Sequence, residues 1–192
     1  VQLIAEPQGL VSITNGLVEP LSNGIGKIFI SDGFNKESTI TFEIKNVDVY
    51  KQVNFANSIV PLFTKHGCNG GGCHGKSGGQ NGFRLSLLGF EPQEDFEYLL
   101  REARGRRLFP AAPERSLLLL KASGQLPHGG GSRIDSNSFD YKKIVNWMRQ
   151  GMPYGKSTDP TLEAIEVYPS ERVMIKGGQQ QLVVLARMTD GS

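Results

Sequence analysis

The chain begins with the short alternation of apolar and polar residues that is typical of β-strands. Within residues 1–45, apolar side chains alternate with polar neighbours at Ile28 and Ile30 and again at Ile40, Phe42 and Ile44. Three Asn-Gly or Asp-Gly pairs between these runs supply turns, namely Asn15-Gly16, Asn23-Gly24 and Asp32-Gly33. This part of the chain therefore predicts three or four short strands.

The same alternation returns after Pro160. It predicts short strands at Ile165 and Val167, at Val173 and Ile175, and over residues 182–185. Pro169 and the Gly177-Gly178 pair separate these runs. Both ends of the chain are thus β in character.

Between the two ends, apolar residues recur with the period of a helix. Asn54 is a suitable N-cap for a first helix, and Pro61 is expected to kink or shorten it. Its shared face consists of Phe55, Ile59, Leu62 and Phe63.

A second predicted helix has acidic residues at its start and basic residues at its end, as the helix dipole prefers. Its apolar stripe is Phe96, Leu99, Leu100 and Ala103, with Glu94 and Asp95 at the start of the helix and Arg101 and Arg104 at its end.

A third predicted helix has clear start and stop signals. Ser138 can cap it, Gly151 ends it and Pro153 follows. Its apolar face consists of Tyr141, Ile144, Val145 and Met148. Residues 116–123 contain four consecutive leucines, which fit a short helix and a buried strand equally well.

Composition narrows the class of protein. A chain of 192 residues has room for one or two domains. Its longest aliphatic run, residues 117–120, is far shorter than the ~20 apolar residues of a membrane span, so no span is expected in this segment. The 21 Lys and Arg residues nearly balance the 19 Asp and Glu residues, and nothing in that balance favours a nucleic-acid partner. No pairing of a nucleophile with a base stands out, so no enzymatic activity is predicted.

One segment carries candidate chemistry. Residues 68–74 form a C-x4-C-H sequence, two residues longer than the C-x2-C-H haem attachment motif; they read Cys68-Asn69-Gly70-Gly71-Gly72-Cys73-His74. Two thiols can add across the two vinyl groups of a haem, and a histidine directly after the second thiol can bind the iron. Glycine adopts backbone conformations closed to other residues, so the three glycines are expected to accommodate the longer loop.

Two other interpretations of the cluster are open. A Cys68–Cys73 disulfide could close the loop in an oxidising compartment, with His74 a bystander. A structural zinc ion would need four protein ligands, the fourth being His66 or His128.

Several further segments give the chain a resemblance to a known family, the planctomycete-type cytochrome c domain. The match spans about half of the chain, and its segments are Asn54-Phe55, Pro61-Leu62, residues 67–75, Asn81–Leu87, Ala103–Arg107, Ala112–Leu117 and Pro127–Gly131. The resemblance implies a covalently bound haem c and an extracytoplasmic location, in the periplasm or cell envelope. The flanks are similar to partial bacterial Ig-like group 2 domains, the later strands at the N-terminal end and the first strands at the C-terminal end.

Together these features predict an α+β chain in three parts. Residues 1–46 are the later strands of an Ig-like domain, residues 47–157 a small, mainly helical cytochrome c-like domain, and residues 158–192 the first strands of an Ig-like β-sandwich. The two β ends could complete one sandwich, or exchange strands in a homodimer, since half a sandwich leaves apolar faces and strand edges open.

The remaining ligands of the haem are less sharply marked. His128 is the preferred second iron ligand, because it lies in a loop ahead of the last predicted helix; Met152, Met148, His66 and an open position are the alternatives. Arg106 and Arg107 are candidates for the haem propionates, since guanidinium groups match carboxylates.

The predicted function is electron transfer to an unknown redox partner protein. Haem-based sensing or binding of a small gas or peroxide at an open iron position is an alternative. So is an adhesion or scaffold module without haem, in which Cys68 and Cys73 form a disulfide.

Overall fold

The computed structural model describes residues 1–14, 16–34, 37–47 and 52–191. The chain divides into two compact units, a first unit of Val1–Lys51 and a second unit of Gln52–Ser192. Asn15, in one of the predicted turns, lies outside the described residues.

The first unit is built only of strands in its described part. They are β1 (Gln2–Glu6), β2 (Val11–Thr14), β3 (Leu17–Pro20), β4 (Gly24–Ser31) and β5 (Glu37–Ile44). Strands β1, β4 and β5 form one antiparallel sheet in which Ile28 pairs with Ala5 on one side and Ile40 on the other. Strands β2 and β3 form a hairpin. The segment thus has five strands where the alternation predicts three or four.

The second unit contains four α-helices and a short hairpin. The helices are α1 (Val60–Lys65), α2 (Pro92–Leu100), α3 (Leu117–Ala122) and α4 (Phe139–Arg149). An aromatic cluster lies at the centre of its core, where the rings of Phe55 and Trp147 are 5.3 Å apart and those of Phe55 and Phe96 are 5.2 Å apart. The buried Trp147 indole donates to the Pro153 carbonyl at 2.9 Å, so its one polar group is satisfied.

The predicted first helix is confirmed, together with its cap and its irregularity. Asn54 accepts a hydrogen bond from the Asn57 amide at 2.9 Å. The first turn, Phe55–Ile59, is a π-turn in which the Val60 amide reaches back to the Phe55 carbonyl. Pro61 has no N–H for the usual bond and its ring crowds the preceding turn, which accounts for the regular helix beginning only at Val60.

The predicted second helix ends earlier than the apolar stripe suggests. Helix α2 stops at Leu100, and the following Ala103 and Arg104 adopt positive φ values of 53° and 60°. Asp95 also has a different role from the one predicted. It is fully buried and accepts hydrogen bonds from the Ser86 amide and hydroxyl, so it fixes a loop rather than merely favouring the helix dipole.

Helix α4 agrees with its sequence signals, and the structure decides the choice that the sequence left open at α3. Ser138 caps α4 by accepting from the Tyr141 amide at 3.2 Å, and the predicted face of α4 is buried. Residues 117–122 are helical rather than extended. Leu119 is their fully buried side chain.

The C-terminal end forms one antiparallel hairpin of β6 (Leu162–Tyr168) and β7 (Val183–Met188), in which Val167 pairs with Val184. The strand predicted at Val173 and Ile175 is wrong. Those side chains are 98% and 84% exposed and lie outside both strands.

The expected mainly helical, cytochrome c-like fold is also wrong. The structure is 26% helical and 25% strand, with its strands in three small sheets. The helices are short, from six residues in α1 and α3 to eleven in α4. Turns and loops occupy the glycine-rich segments between them, because glycine loses more backbone freedom in a helix than other residues do. None of the helices in the described part of the chain has the length and apolar character needed to cross a membrane.

We expect Ser138→Ala to lower the free energy of unfolding by about 1 kcal/mol, because it removes the side-chain partner of an otherwise unpaired amide at the start of α4. Urea denaturation followed by Trp147 fluorescence measures this loss. Ser136→Ala, in the same exposed turn, is the matched control. Equal stability of the two variants would contradict the cap.

Candidate functional site

The C-x4-C-H segment directly follows α1 and is closed by its own backbone. The Cys68 amide donates to the Phe63 carbonyl at 2.7 Å, which ties the first cysteine to the helix. The His74 amide donates to the Cys68 carbonyl at 2.9 Å, and the Cys73 amide donates to the Gly70 carbonyl at 2.9 Å. Hydrogen bonds between backbone groups therefore close residues 68–74 into one small backbone ring, which carries both thiols and the imidazole.

The glycines that this loop requires are not the three that the sequence indicates. Positive φ occurs at Gly67, at 70°, but not at residues 70–72. A side chain at Gly75 would overlap the Asn69 carbonyl group, whereas one at Gly72 would meet no atom within 4 Å. Close approach of backbone at Gly75 and the turn at Gly67 thus shape the loop.

His74 is held as a neutral imidazole with one free nitrogen. Its Nδ1 lies 3.0 Å from the Phe83 carbonyl oxygen. Because a carbonyl only accepts, Nδ1 carries the hydrogen and Nε2 keeps its lone pair. Burial lowers the pKa of His74, His128 and Arg107 act in the same direction, and the bond to Phe83 opposes them. The neutral form is the one that binds metals.

The structure brings His128 against His74. The His128 Nδ1 lies 2.8 Å from the Gly131 carbonyl oxygen, so Nδ1 carries a hydrogen and, in the neutral ring, Nε2 carries the lone pair. The two ring centroids are 6.2 Å apart and the ring planes differ by 9°. Two imidazoles that bind one metal ion from opposite sides, each at about 2 Å, have centroids roughly 6 Å apart. The pair thus has the centroid separation that two histidine ligands of one metal ion would need.

Both thiols and both imidazoles line one cavity. The space between its walls, including the open mouth, is about 880 Å³. Apolar side chains form much of the rest of the wall, including Phe63, Phe83, Leu85, Leu117, Leu118 and Ala122. Much of the cavity wall is therefore apolar, and the cavity also contains two thiols and two imidazoles.

Both cysteines are free thiols in the structure, with no disulfide between them. Burial raises the pKa of Cys68 to about 11; the nearby Cys73 adds to that shift and Arg133 opposes it. Cys68 is thus a protonated thiol at neutral pH.

The described wall residues carry four cations and no carboxylate. Arg106 and Arg107 were expected at the site from the sequence, whereas Lys121 and Arg133 were missed. The sequence could have indicated Arg133 as a residue of the site, since it lies two residues after the end of the glycine loop that contains His128. The cavity is therefore suited to an anionic ligand.

The two predicted arginines differ in their surroundings. Arg106 is exposed at the cavity wall. Arg107 is buried, and its guanidinium donates to the carbonyl groups of Gly82, Tyr98 and Glu102. The Arg107 guanidinium thus donates its hydrogen bonds to backbone carbonyl groups. This leaves fewer of its N–H groups for a haem propionate than the sequence predicts.

The other candidate ligands lie elsewhere. The His66 Nε2 is 2.8 Å from the Asp140 carboxylate, which also binds Lys65. Met148 is buried in the core, where its sulfur accepts from the Ser116 hydroxyl at 3.2 Å, and Met152 packs against that core. Within the described residues, no group of three or more His, Cys, Asp or Glu side chains is arranged to hold a metal ion.

Comparisons with protein-family models, with curated proteins and with solved structures give no match to this chain. The resemblance to the planctomycete-type cytochrome c domain therefore depends on the sequence segments alone and stays a prediction.

We expect Gly75→Ala to lower the free energy of unfolding by about 1–3 kcal/mol, because the added methyl group overlaps a backbone carbonyl in a closed loop. Gly72→Ala is the matched control and should change it by less than about 0.5 kcal/mol, since its methyl group points into open space. Urea denaturation of both variants measures the difference. A Gly75→Ala variant as stable as Gly72→Ala would contradict the loop geometry.

Proposed function

We propose that the second unit carries one covalently attached haem c and transfers electrons. Cys68 and Cys73 would hold it through thioether bonds, and His74 and His128 would bind the iron. The observation that carries the proposal is the pair of parallel imidazoles, 6.2 Å apart, each with Nδ1 bound to a backbone carbonyl and Nε2 free.

The arrangement of the thiols supports attachment at this cavity. Cys68 and Cys73 lie in one closed backbone ring, and His74 follows directly in the same ring. All three side chains line the cavity. Neither thiol is used in a disulfide, so both are available for thioether bonds.

The walls of the cavity also suit a haem. Apolar side chains match the faces of the macrocycle, and the cations Arg106, Lys121 and Arg133 match its two propionates. The space of about 880 Å³ between the walls includes the open mouth, so part of the macrocycle would lie in the mouth. An edge toward solvent is what transfer of an electron to a partner protein requires.

Haem c, when bound, supplies a one-electron iron couple whose potential depends on its axial ligands, hydrogen bonds and burial. The chain itself supplies two imidazoles rather than one. The carbonyl of Phe83 orients His74, and the carbonyl of Gly131 orients His128. If both imidazoles bind the iron, they would leave no position for a gas or peroxide, which favours electron transfer over sensing.

The proposal includes the setting in which such a protein works. Covalent haem attachment and the family resemblance both favour an extracytoplasmic location. A second protein, which gives or takes the electron, is the partner that this function implies.

Covalent attachment is the first test. When the chain is exported by a bacterium with a complete cytochrome c maturation system, we expect a mass increase of one haem and a band that stains for haem after denaturation. Cys68→Ser and Cys73→Ser should each lose one thioether, and the double variant should lose covalent haem altogether. Bare polypeptide from such a host would overturn the proposal. A mass lower by two hydrogens would support the disulfide-bonded scaffold instead.

The second test concerns the iron ligands. We expect the reduced protein to show a six-coordinate, low-spin absorption spectrum that carbon monoxide does not change. His128→Ala should open one axial position and bind carbon monoxide. His66→Gln is the matched control, because His66 is bound to Asp140 away from the cavity. Binding of carbon monoxide by the unaltered protein would favour the sensing alternative.

A further inference from the structure

Arg107 is placed behind the ligand His74 rather than at the haem edge where the sequence puts it. It is only 4% exposed, and its Cζ atom lies 4.6 Å from the centroid of the Phe83 ring. That ring lies 4.7 Å from the His74 ring, centroid to centroid. Phe83 therefore stands between a buried cation and the candidate iron ligand.

The hydrogen bonds of Arg107 fix the backbone that holds His74. Its Nη1 donates to the carbonyl oxygens of Tyr98 at 2.8 Å and Glu102 at 3.0 Å, and its Nη2 donates to the Gly82 carbonyl oxygen. Gly82 directly precedes Phe83, whose carbonyl accepts from His74. The guanidinium thus ties the end of α2 and the turn after it to the loop that orients the imidazole.

The loop that contains Phe83 is also closely packed on the side opposite Arg107. The Phe83 carbonyl also accepts from the Gln80 amide at 3.0 Å, and a side chain at Gly79 would overlap that same carbonyl oxygen. The position of this oxygen therefore depends on packing from one side and on Arg107 from the other.

We infer that Arg107 is a positioning residue that keeps His74 in its Nδ1-protonated form, with Nε2 free for iron. It does so by holding the Gly82–Phe83 peptide and the Phe83 ring in place. Its role at the iron ligand rests on the proposed function, whereas its effect on His74 is a property of the chain without haem. A lysine cannot replace it, because one ammonium group cannot reach three carbonyls and stack on a ring at once.

The planar geometry of the Arg107 guanidinium, rather than its charge, is the feature that holds this backbone, since the Glu102 carboxylate balances the charge. The Glu102 carboxylate lies 3.9 Å from the Arg107 Nη2 atom and 3.0 Å from Arg84, whose guanidinium covers the Tyr98 ring. The arginine is thus paired, buried and stacked.

The test is the tautomer of His74 in the full chain made without haem, read from the ¹⁵N shifts of its ring at pH 8. We expect the unaltered chain to show the Nδ1–H tautomer. Arg107→Met and Arg107→Lys should both show a mixture of the two tautomers, although only the lysine keeps the charge. Arg101→Met, at an exposed arginine that pairs with Glu97, is the control and should match the unaltered chain.

Two results would overturn the inference. One is an unaltered chain, folded by circular dichroism, in which His74 carries its hydrogen on Nε2. The other is a folded Arg107→Met chain with the unaltered tautomer. If the variants or the haem-free chain do not fold, haem-loaded protein decides, since Arg107→Lys keeps the charge but not the contacts and should shift the reduction potential relative to the unaltered protein, and an equal potential overturns the inference. Failure of haem attachment would refute the proposed function but leave the tautomer measurement intact.

Discussion

The candidate site depends on a hydrogen bond between a side chain and the backbone, from the His74 Nδ1 atom to the Phe83 carbonyl. This bond chooses one of the two tautomers of a neutral imidazole and so leaves Nε2 as the atom with a lone pair. It also sets the plane of the ring. The proposed binding of iron by His74 and the role of Arg107 both depend on that choice.

The two imidazoles are held in different ways. His74 is bound by its own backbone ring, by Phe83 and, through Phe83, by the end of α2. His128 is bound by the Gly131 carbonyl, three residues along the same glycine-rich loop. His74 is therefore tied to a second segment of the chain, whereas His128 is held within its own loop. If the proposed haem is attached, this asymmetry would place the imidazole with the longer-range contact beside the thioether bonds.

Charge and polarity are divided within the second unit. The aromatic core around Phe55 and Trp147 carries the stability of the fold, and its polar groups are paired, as in the indole bond to Pro153. The cavity combines apolar walls with exposed cations such as Arg133. Burial acts on both ionisable groups that the site uses, because it disfavours the charged form of the Cys68 thiol and of the His74 imidazole.

The sequence by itself determined most of the local elements and placed two thiols and an imidazole within residues 68–74, because caps, turns and short spacings act over a few neighbouring positions. The cap at Ser138 and the irregularity at Pro61 follow from such short-range rules, whereas the mainly helical fold inferred from family resemblance did not hold. Only the tertiary structure decided that Gly75 rather than Gly72 must lack a side chain, that Arg107 lies behind Phe83, and that His128 faces His74. These outcomes depend on atoms from distant segments meeting at contact distance, and such contacts leave no periodic pattern along the chain.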